Sequence, residues 1–185
     1  MFTNIQKSIG LISLWFIVSL VLVFFPYQWV IGVIPRNIVG IPGIWGSPFF
    51  HGGLGHLMSN AIPMYILGCL VSVEMSRQGF IWTNFLLITA SGSLLWVFGR
   101  SAEHIGASGL IFAYLGYLIS SWWHGPRGII SSITTIVALL LYWTIIPSII
   151  FDMTSTRSVV SWDGHLCGLI AGYIVGKYQY KRNSQ

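Results

Sequence analysis

The sequence predicts an all-α, polytopic membrane protein in which residues 1–185 form one bundle of six transmembrane helices. The mean hydropathy is +0.77 and only 7% of the residues are charged, whereas a soluble domain carries about 25%. Six uninterrupted apolar runs are each near the ~20 residues that cross ~30 Å of hydrocarbon as a helix. Because a helix satisfies its own backbone hydrogen bonds, each run is predicted to be helical in lipid. The runs cover residues 9–34, 54–73, 80–98, 105–123, 129–151 and 164–178.

The basic residues between the runs indicate an orientation. With a cytoplasmic N-terminus, six of the nine lysines and arginines lie inside, in agreement with the positive-inside tendency. They are scattered singly, so we expect membrane lipid as a partner and no nucleic acid. The first run is longer than the core of a signal peptide and is expected to be retained. Cys69 and Cys167 are predicted to lie at different depths, too far apart for a disulfide.

Polar residues gather at the start of every second run. These runs cross in the same direction, so their N-terminal ends share one side of the membrane. The second run opens with HGGLGHLMSN, the fourth with HIGASG and the sixth with WDGHLCG. His56 and Asn60 are four residues apart and therefore share a helix face. Three polar clusters are thus predicted to meet at one depth, below the outer surface.

Two residues of these clusters have the chemistry of a nucleophile and its base. The Ser108 hydroxyl needs a proton acceptor, and the neutral imidazole of His165 fits that role. Attack on a peptide carbonyl creates an oxyanion, which fixed hydrogen-bond donors stabilise. The His56 ring, the Asn60 amide and the backbone N–H of Ser108 at a helix N-terminus are candidate donors. This pattern predicts a protease site with a dyad.

Each of these residues taken alone also has a structural interpretation. A serine such as Ser108 in a membrane helix commonly bonds its own backbone, and Asn60 could join two helices. For His51 a structural position at the helix end or membrane interface is favoured. His165 is more open, because ionisable groups inside a bilayer are costly and tend to mark function. Their occurrence at the same ends of three helices favours a common site.

Neither a metal site nor a catalytic triad is predicted. His51 and His56 are five residues apart, no HExxH occurs, and Asp163 is the only clear carboxylate near these clusters. Asp163 lies two residues before His165 and therefore points to a different helix face. We expect it to cap the sixth helix.

Small residues recur on one face of the two helices that carry Ser108 and His165. Such a spacing permits close helix contact, which would bring the two side chains together, although simple bundle packing explains it equally well. The residues are Gly168, Gly172 and Gly176 in the sixth run, and Gly109, Ala113 and Gly116 in the fourth.

The segments HGGLGHLMSN, GASGLIFAYLG and GHLCGLIAG, in this order, resemble those of rhomboid intramembrane serine proteases across essentially the whole chain. The resemblance implies a rhomboid-like six-helix bundle of the short bacterial type, in the inner membrane with both termini cytoplasmic. It implies that Ser108 is the nucleophile and His165 the general base, while His56 and Asn60 help to build the oxyanion hole. The implied substrates are single-span or polytopic membrane proteins, cut near the outer face without a cofactor. The supporting positions are Gly106, Gly109, Phe112 and His51.

The chain departs from the family pattern at two positions. Phe112 stands where many members have a tyrosine, although its ring can still stack on His165. Trp45 is followed by Gly46, whereas many members have a tryptophan–arginine pair there. The surrounding loop, residues 34–50, is rich in proline and glycine, which exclude a long helix. Its bulky apolar residues suit the lipid interface, and we expect it to lie partly in the membrane.

Two other classes of function remain as alternatives. An inactive relative that binds membrane-protein clients would explain the departures at Phe112 and Gly46, but it leaves the retained Ser108 and His165 without a role. A transporter or channel often shows paired repeats, and no convincing repeat is found. Labelling by a serine-directed fluorophosphonate would distinguish a protease from a binding protein.

Overall fold

The computed structural model describes residues 2–26, 29–73, 75–125, 129–142 and 161–183, in which helices and turns occur and no strand is formed. The all-α class is therefore confirmed. Among the described helices, α3 and α4 are long and apolar enough to cross a membrane, and six crossings remain a prediction. The helices are α1 (Phe2–Leu22), α2 (Gly43–Gly46), α3 (Leu54–Ser72), α4 (Arg77–Phe98), α5 (Ser108–His124), α6 (Ile129–Tyr142) and α7 (Trp162–Asn183).

The helix bounds differ most from the apolar runs at the N-terminus. The first run extends to residue 34, whereas α1 ends at Leu22. Pro26 lacks a backbone N–H and disfavours helical geometry in the residue before it, so the chain turns there despite its apolar composition. Helices α3 and α4 agree with the second and third runs to within three residues. Residues 143–151 of the fifth run lie outside the described part of the chain.

Helix α5 lies at the centre of the bundle. Every residue from Leu110 to Leu118 is buried, as expected for a helix that is apolar on all faces. Helices α3, α4, α6 and α7 all contact it, and α7 does so most extensively, while α1 packs mainly against α3. The helix that begins with Ser108 is therefore held from several sides.

Glycines bring the backbones of α5 and α7 into direct contact. A Cβ atom on Gly172 would overlap the carbonyl oxygen of Ala113, and one on Gly168 would overlap that of Gly109. A larger residue at either position would push the helices apart. The close packing of these two faces, predicted from their small residues, is confirmed.

Residues 34–50 of the first loop form short helical turns, including α2, and the expected absence of a long helix in this segment is confirmed. Arg36 donates hydrogen bonds to the carbonyl oxygens of Gly99 (2.7 Å) and Val97 (3.1 Å) at the end of α4, where a cation also complements the helix dipole. Trp15 of α1 donates to the carbonyl oxygen of Pro48 at 2.9 Å. The loop is thus fastened to two helices.

The two cysteines are free thiols. Cys69 lies near the end of α3, whereas Cys167 lies near the start of α7. Residues at the starts of α3 and α7 line one shared cavity, so these two helices begin at the same end of the bundle. Cys69 and Cys167 therefore lie at different depths, and they form no disulfide with each other.

Candidate active site

A cavity of about 700 Å³ lies where α3, α5 and α7 begin. Its lining includes His56 and Asn60 from α3, Ser108 from α5 and His165 from α7. The prediction that three polar clusters distant in sequence meet in space is therefore confirmed. The chemical roles assigned to these four residues remain predictions.

Ser108 is the first residue of α5 and is half-buried. The first backbone N–H groups of a helix have no partner within the helix, and they form the positive end of its dipole. An oxyanion beside Ser108 would therefore meet both a hydrogen-bond donor and a favourable field. The position suits a serine that forms a charged intermediate.

His165 lies in the first turn of α7 and is buried. Its backbone N–H donates to the carbonyl oxygen of Ser161 at 3.1 Å. Its ring stacks on that of Phe112, with centroids 4.4 Å apart and planes inclined by 20°. The predicted stacking is confirmed, and it requires no hydroxyl on the Phe112 ring. The stack involves the face of the imidazole and not its edge, where both nitrogens lie.

The loop before α5 closes tightly against His56. Gly106 has a φ of +108°, which side chains rarely permit, and a Cβ there would lie 2.8 Å from Nε2 of His56. Its N–H donates to the carbonyl oxygen of Ser47 at 2.9 Å. Gly106 therefore lets the loop bring His56 next to the segment that leads into Ser108. Gly109 instead contacts α7, since a Cβ there would lie 3.6 Å from the carbonyl oxygen of Gly164.

Asn60 is buried and bonds within its own helix. Its side-chain N–H donates to the carbonyl oxygen of His56 at 2.9 Å. A primary amide has two N–H donors, so this bond holds the amide in place and leaves one donor for a bound oxygen. The structural and functional interpretations of Asn60 are compatible.

The His51 ring packs against the His56 ring. It is edge-on to the rings of Trp15 and His56, with centroid distances of 5.9 and 5.1 Å. Asn60 and Ser108 line the cavity, whereas His51 is not among the described residues that line it. Burial, and after it the charge of His56, lowers the pKa of His51 from 6.5 to about 4. His51 is therefore neutral near pH 7 and supports the His56 ring by packing.

Within the described part of the chain, no three histidine, cysteine, aspartate or glutamate side chains form a group that could hold a metal ion. The rings of His51 and His56 meet edge to face, with centroids 5.1 Å apart.

The expectation that Asp163 caps the last helix is wrong. The Gly164 N–H is capped by the Ser161 hydroxyl at 3.2 Å. The Asp163 carboxylate instead accepts the backbone N–H of Arg100 at 2.9 Å, and Nε of Arg100 lies 3.6 Å from its other oxygen. Because α7 begins against the segment that follows α4, the carboxylate reaches another part of the chain rather than its own helix end.

His104 was missed by the sequence analysis. It belongs to the HIGASG segment, which drew attention only to Ser108. In the structure it is buried, and its Nδ1 lies 2.7 Å from the Ser161 hydroxyl. Burying a histidine in so apolar a chain costs free energy unless the ring is hydrogen-bonded. A histidine at this position in the sequence was therefore a signal that the ring has a specific partner.

The family model of the rhomboid domain matches residues 41–182, which contain all the polar cavity residues named above. The chain belongs to the rhomboid family. Rhomboid proteins are embedded in membranes, in keeping with the apolar length of α3 and α4.

Several proteins resemble this rhomboid chain. An uncharacterized protein of Mycobacterium bovis is 32% identical over 150 residues, which are 77% of this chain and 61% of that protein. A putative rhomboid protein of Acanthamoeba polyphaga mimivirus is 30% identical over 130 residues, 68% of each chain. A RHOMBOID-like protein of Arabidopsis thaliana is 29% identical over 132 residues, 69% of this chain and 31% of its own length. The chain thus spans about three fifths of its mycobacterial relative.

The first loop of this rhomboid chain has two separated anchors in place of an adjacent tryptophan–arginine pair. Arg36, which has a φ of +58°, bonds the last carbonyl groups of α4 as described above. The indole N–H of Trp45 donates to the Thr89 hydroxyl of α4 at 3.0 Å. Both anchors hold the loop on the same helix, so the glycine at position 46 does not leave it unattached.

Proposed function

We propose that this rhomboid-family chain is an intramembrane serine endopeptidase that cleaves transmembrane segments of membrane-protein substrates near the outer face. The observation that carries the proposal is one cavity lined by Ser108, His165, His56 and Asn60. The two residues assigned to bond cleavage begin helices whose backbones touch, so their relative position is tightly constrained.

The proposed reaction uses Ser108 as the nucleophile and His165 as the proton carrier. The Ser108 oxygen attacks the peptide carbonyl carbon as its proton passes to the imidazole. The imidazolium then gives that proton to the leaving nitrogen as the C–N bond breaks, which yields an acyl-enzyme. Water activated by the neutral imidazole hydrolyses the ester and restores both residues. No cofactor takes part.

The proposed oxyanion hole combines His56, Asn60 and the backbone N–H of Ser108. These groups belong to two different helices, and the His56 ring is held from one side by His51 and from the other by Gly106. Donors that are fixed before the reaction need no reorganisation when the charge forms, and each is worth about 10²- to 10³-fold in rate.

The substrate must expose a peptide bond before it can react. A transmembrane helix buries its backbone in internal hydrogen bonds, so part of the substrate has to unwind beside the cavity. We expect faster cleavage of segments that carry helix-weakening residues such as glycine near the cut.

The proposed membrane arrangement has six crossings, cytoplasmic termini and a location in a bacterial inner membrane. The first loop is proposed to lie in the lipid interface. Ile38 and Val39 at its tip are 78% and 71% exposed, and such bulky apolar side chains gain from contact with lipid.

The full chain, purified and reconstituted in liposomes, should cleave at least one member of a panel of single-span reporters. Ser108→Ala and His165→Ala should abolish cleavage in proteins that remain folded, as thermal unfolding in detergent measures. Ser120→Ala is a matched control, because it removes another serine hydroxyl of α5 at the other end of the helix. It should cleave at the wild-type rate.

A fluorophosphonate probe provides a second readout that needs no substrate. It should label the wild-type chain and Ser120→Ala but leave Ser108→Ala unlabelled. Cleavage that persists in Ser108→Ala would disprove the proposed nucleophile. A folded wild-type chain that neither reacts with the probe nor cleaves any reporter would instead favour the client-binding alternative.

A further inference from the structure

A buried polar cluster has no part in the proposed reaction, although two of its members, His104 and Ser161, line the cavity. The cluster consists of His104, Ser161 and Asp163, and His104 and Asp163 are 4% and 5% exposed. Nδ1 of His104 lies 2.7 Å from the Ser161 hydroxyl oxygen, which lies 3.2 Å from Oδ1 of Asp163. Oδ2 of Asp163 accepts the backbone N–H of Arg100. The cluster therefore joins the 99–107 loop, which precedes α5, to the start of α7.

The surroundings of the His104 ring define which nitrogen carries a proton. Nε2 faces two acceptors, the carbonyl oxygen of Arg100 at 3.1 Å and the Asp163 carboxylate at 3.7 Å. Nε2 is therefore assigned as an N–H donor. The Ser161 hydroxyl carries one proton and lies between two further groups of the cluster, Nδ1 of His104 and the Asp163 carboxylate. Ser161 and Asp163 at the start of α7 thus both bond groups of the 99–107 loop, the His104 ring and the Arg100 backbone N–H.

The cluster lies next to both residues of the proposed dyad along the chain. His104 precedes Ser108 by four residues, and Asp163 precedes His165 by two. Ser161 caps Gly164 with its hydroxyl and accepts the His165 N–H with its carbonyl. The turn from which His165 projects is therefore built on Ser161.

A buried carboxylate is costly unless it is paired and hydrogen-bonded. One donor to Asp163, the backbone N–H of Arg100, belongs to the 99–107 loop, so this hydrogen bond is in place only while the start of α7 is docked against that loop. Undocking would leave Asp163, Ser161 and His104 with unsatisfied polar atoms. The hydrogen bonds of the cluster thus favour one relative position of the two segments. This constraint adds to the close packing of α5 against α7 at their glycines.

We infer that Asp163, Ser161 and His104 are positioning residues that hold His165 in register with Ser108 by locking the first turn of α7 onto the 99–107 loop. The inference rests on the proposed function for its kinetic consequence. A displacement of about 1 Å at a reacting group can cost 10²-fold in rate, so this register controls kcat.

The kinetic test compares Ser161→Ala, Ser161→Thr and Asp163→Asn in the reconstituted full chain. We expect Ser161→Ala and Asp163→Asn to lower kcat by about 10- to 100-fold with little change in KM, because neither substitution alters Ser108, His56 or Asn60. Ser161→Thr retains the hydroxyl and should recover most of the wild-type kcat. Ser72→Ala, which removes a buried hydroxyl bonded to the Cys69 carbonyl far from the cavity, should not alter kcat.

A spectroscopic test measures the position of His165 without activity. In histidine-labelled protein, stacking on Phe112 shifts the His165 ring signals, and Phe112→Leu supplies the signals of the unstacked ring. We expect Ser161→Ala and Asp163→Asn to move the signals towards those of Phe112→Leu, whereas Ser161→Thr and Ser72→Ala leave them in place. If Asp163→Asn does not fold, the comparison of Ser161→Ala with Ser161→Thr tests the inference.

Wild-type His165 signals in a folded Ser161→Ala protein, or a wild-type kcat in that variant, would overturn the inference. A wild-type chain that fails to cleave or to label would sink the proposed function instead. The ring signals would still report whether the cluster positions His165.

Discussion

The two sides of α5 are packed in different ways. Towards α7, glycines place backbone against backbone, as at Gly172 and Ala113. Towards α1, α3 and α4, large side chains make the contacts and border an open apolar pocket of about 170 Å³, which Trp15 and Tyr114 help to line. The first interface cannot change by even one methyl group, whereas the second already contains unfilled space.

This difference separates the parts of the proposed site. Ser108 and His165 lie on the two helices with direct backbone contact, which restricts how far these helices can move relative to each other. His56 and Asn60 lie on α3, which meets α5 through side chains, and the His56 ring contacts Gly106. We expect a bulky substitution at a glycine of the α5–α7 interface to end activity together with the fold, and changes to His56 or Asn60 to reduce activity in a folded protein.

The largest effect is expected from Gly172→Leu. The leucine side chain would overlap the Ala113 carbonyl and force α5 and α7 apart. We expect the free energy of unfolding to fall by about 3 kcal/mol or more and cleavage to become undetectable. Thermal unfolding in detergent and the reporter assay measure the two effects. Gly10→Leu on α1 is the control, since no atom lies within 4 Å of a Cβ there. Equal unfolding temperatures for the two variants would refute the backbone contact.

Asn60→Ala should lower kcat by about 10²- to 10³-fold, the usual cost of one oxyanion donor, in a protein that remains folded. Asn84→Ala is a matched control. Asn84 of α4 makes the same kind of bond to a carbonyl one turn earlier, at 2.8 Å to Phe80, and also accepts from the Tyr114 hydroxyl. Asn84→Ala should therefore lower the free energy of unfolding at least as much as Asn60→Ala does. Its kcat should stay close to the wild-type value. Similar kcat values in the two variants would assign Asn60 a purely structural role.

Phe112→Leu should lower kcat by about 10-fold, because an aromatic pair contributes about 0.5–1.5 kcal/mol to holding the His165 ring. Phe112→Tyr, which keeps the stack, should cleave at nearly the wild-type rate. Phe80→Leu removes a ring that stacks on Tyr114 on the α3 side, and it should affect the unfolding temperature but not kcat. A larger kcat loss in Phe80→Leu than in Phe112→Leu would reverse the proposed division between the two sides.

The smallest effect is expected from His51 and depends on pH. The pKa of His51 in the native chain is about 4, below its ordinary value of 6.5. Between pH 4 and pH 6.5 the unfolded chain therefore binds more protons than the native chain. The stability that comes from burying a neutral His51 is complete above pH 6.5 and is lost as the pH falls to about 4. The unfolding temperature of His51→Leu should therefore decline less over this range than that of the wild-type chain. Parallel profiles would show that His51 is not buried as described.

Much of the fold could be predicted from apolar runs, because crossing lipid requires long helices whatever the detailed packing. The start of α3 and the end of α4 agree with the runs, and the α5–α7 interface was predicted from the spacing of its small residues. The end of α1 was not, since residues 23–34 remain apolar after the helix has stopped. Apolar composition reports the surroundings of a segment, whereas Pro26 acts on its backbone geometry.

The sequence by itself determined that the chain is helical and apolar, and that the side chains of a candidate serine protease site fall at the ends of helices running in one direction. Only the tertiary structure decided that Asp163 bonds the 99–107 loop, that the His51 ring packs against the His56 ring, and that His104 belongs to the site. The physical reason is that helix periodicity specifies faces within one segment. Hydrogen bonds between segments depend on the distance at which two backbones meet, and here that distance is set by packing.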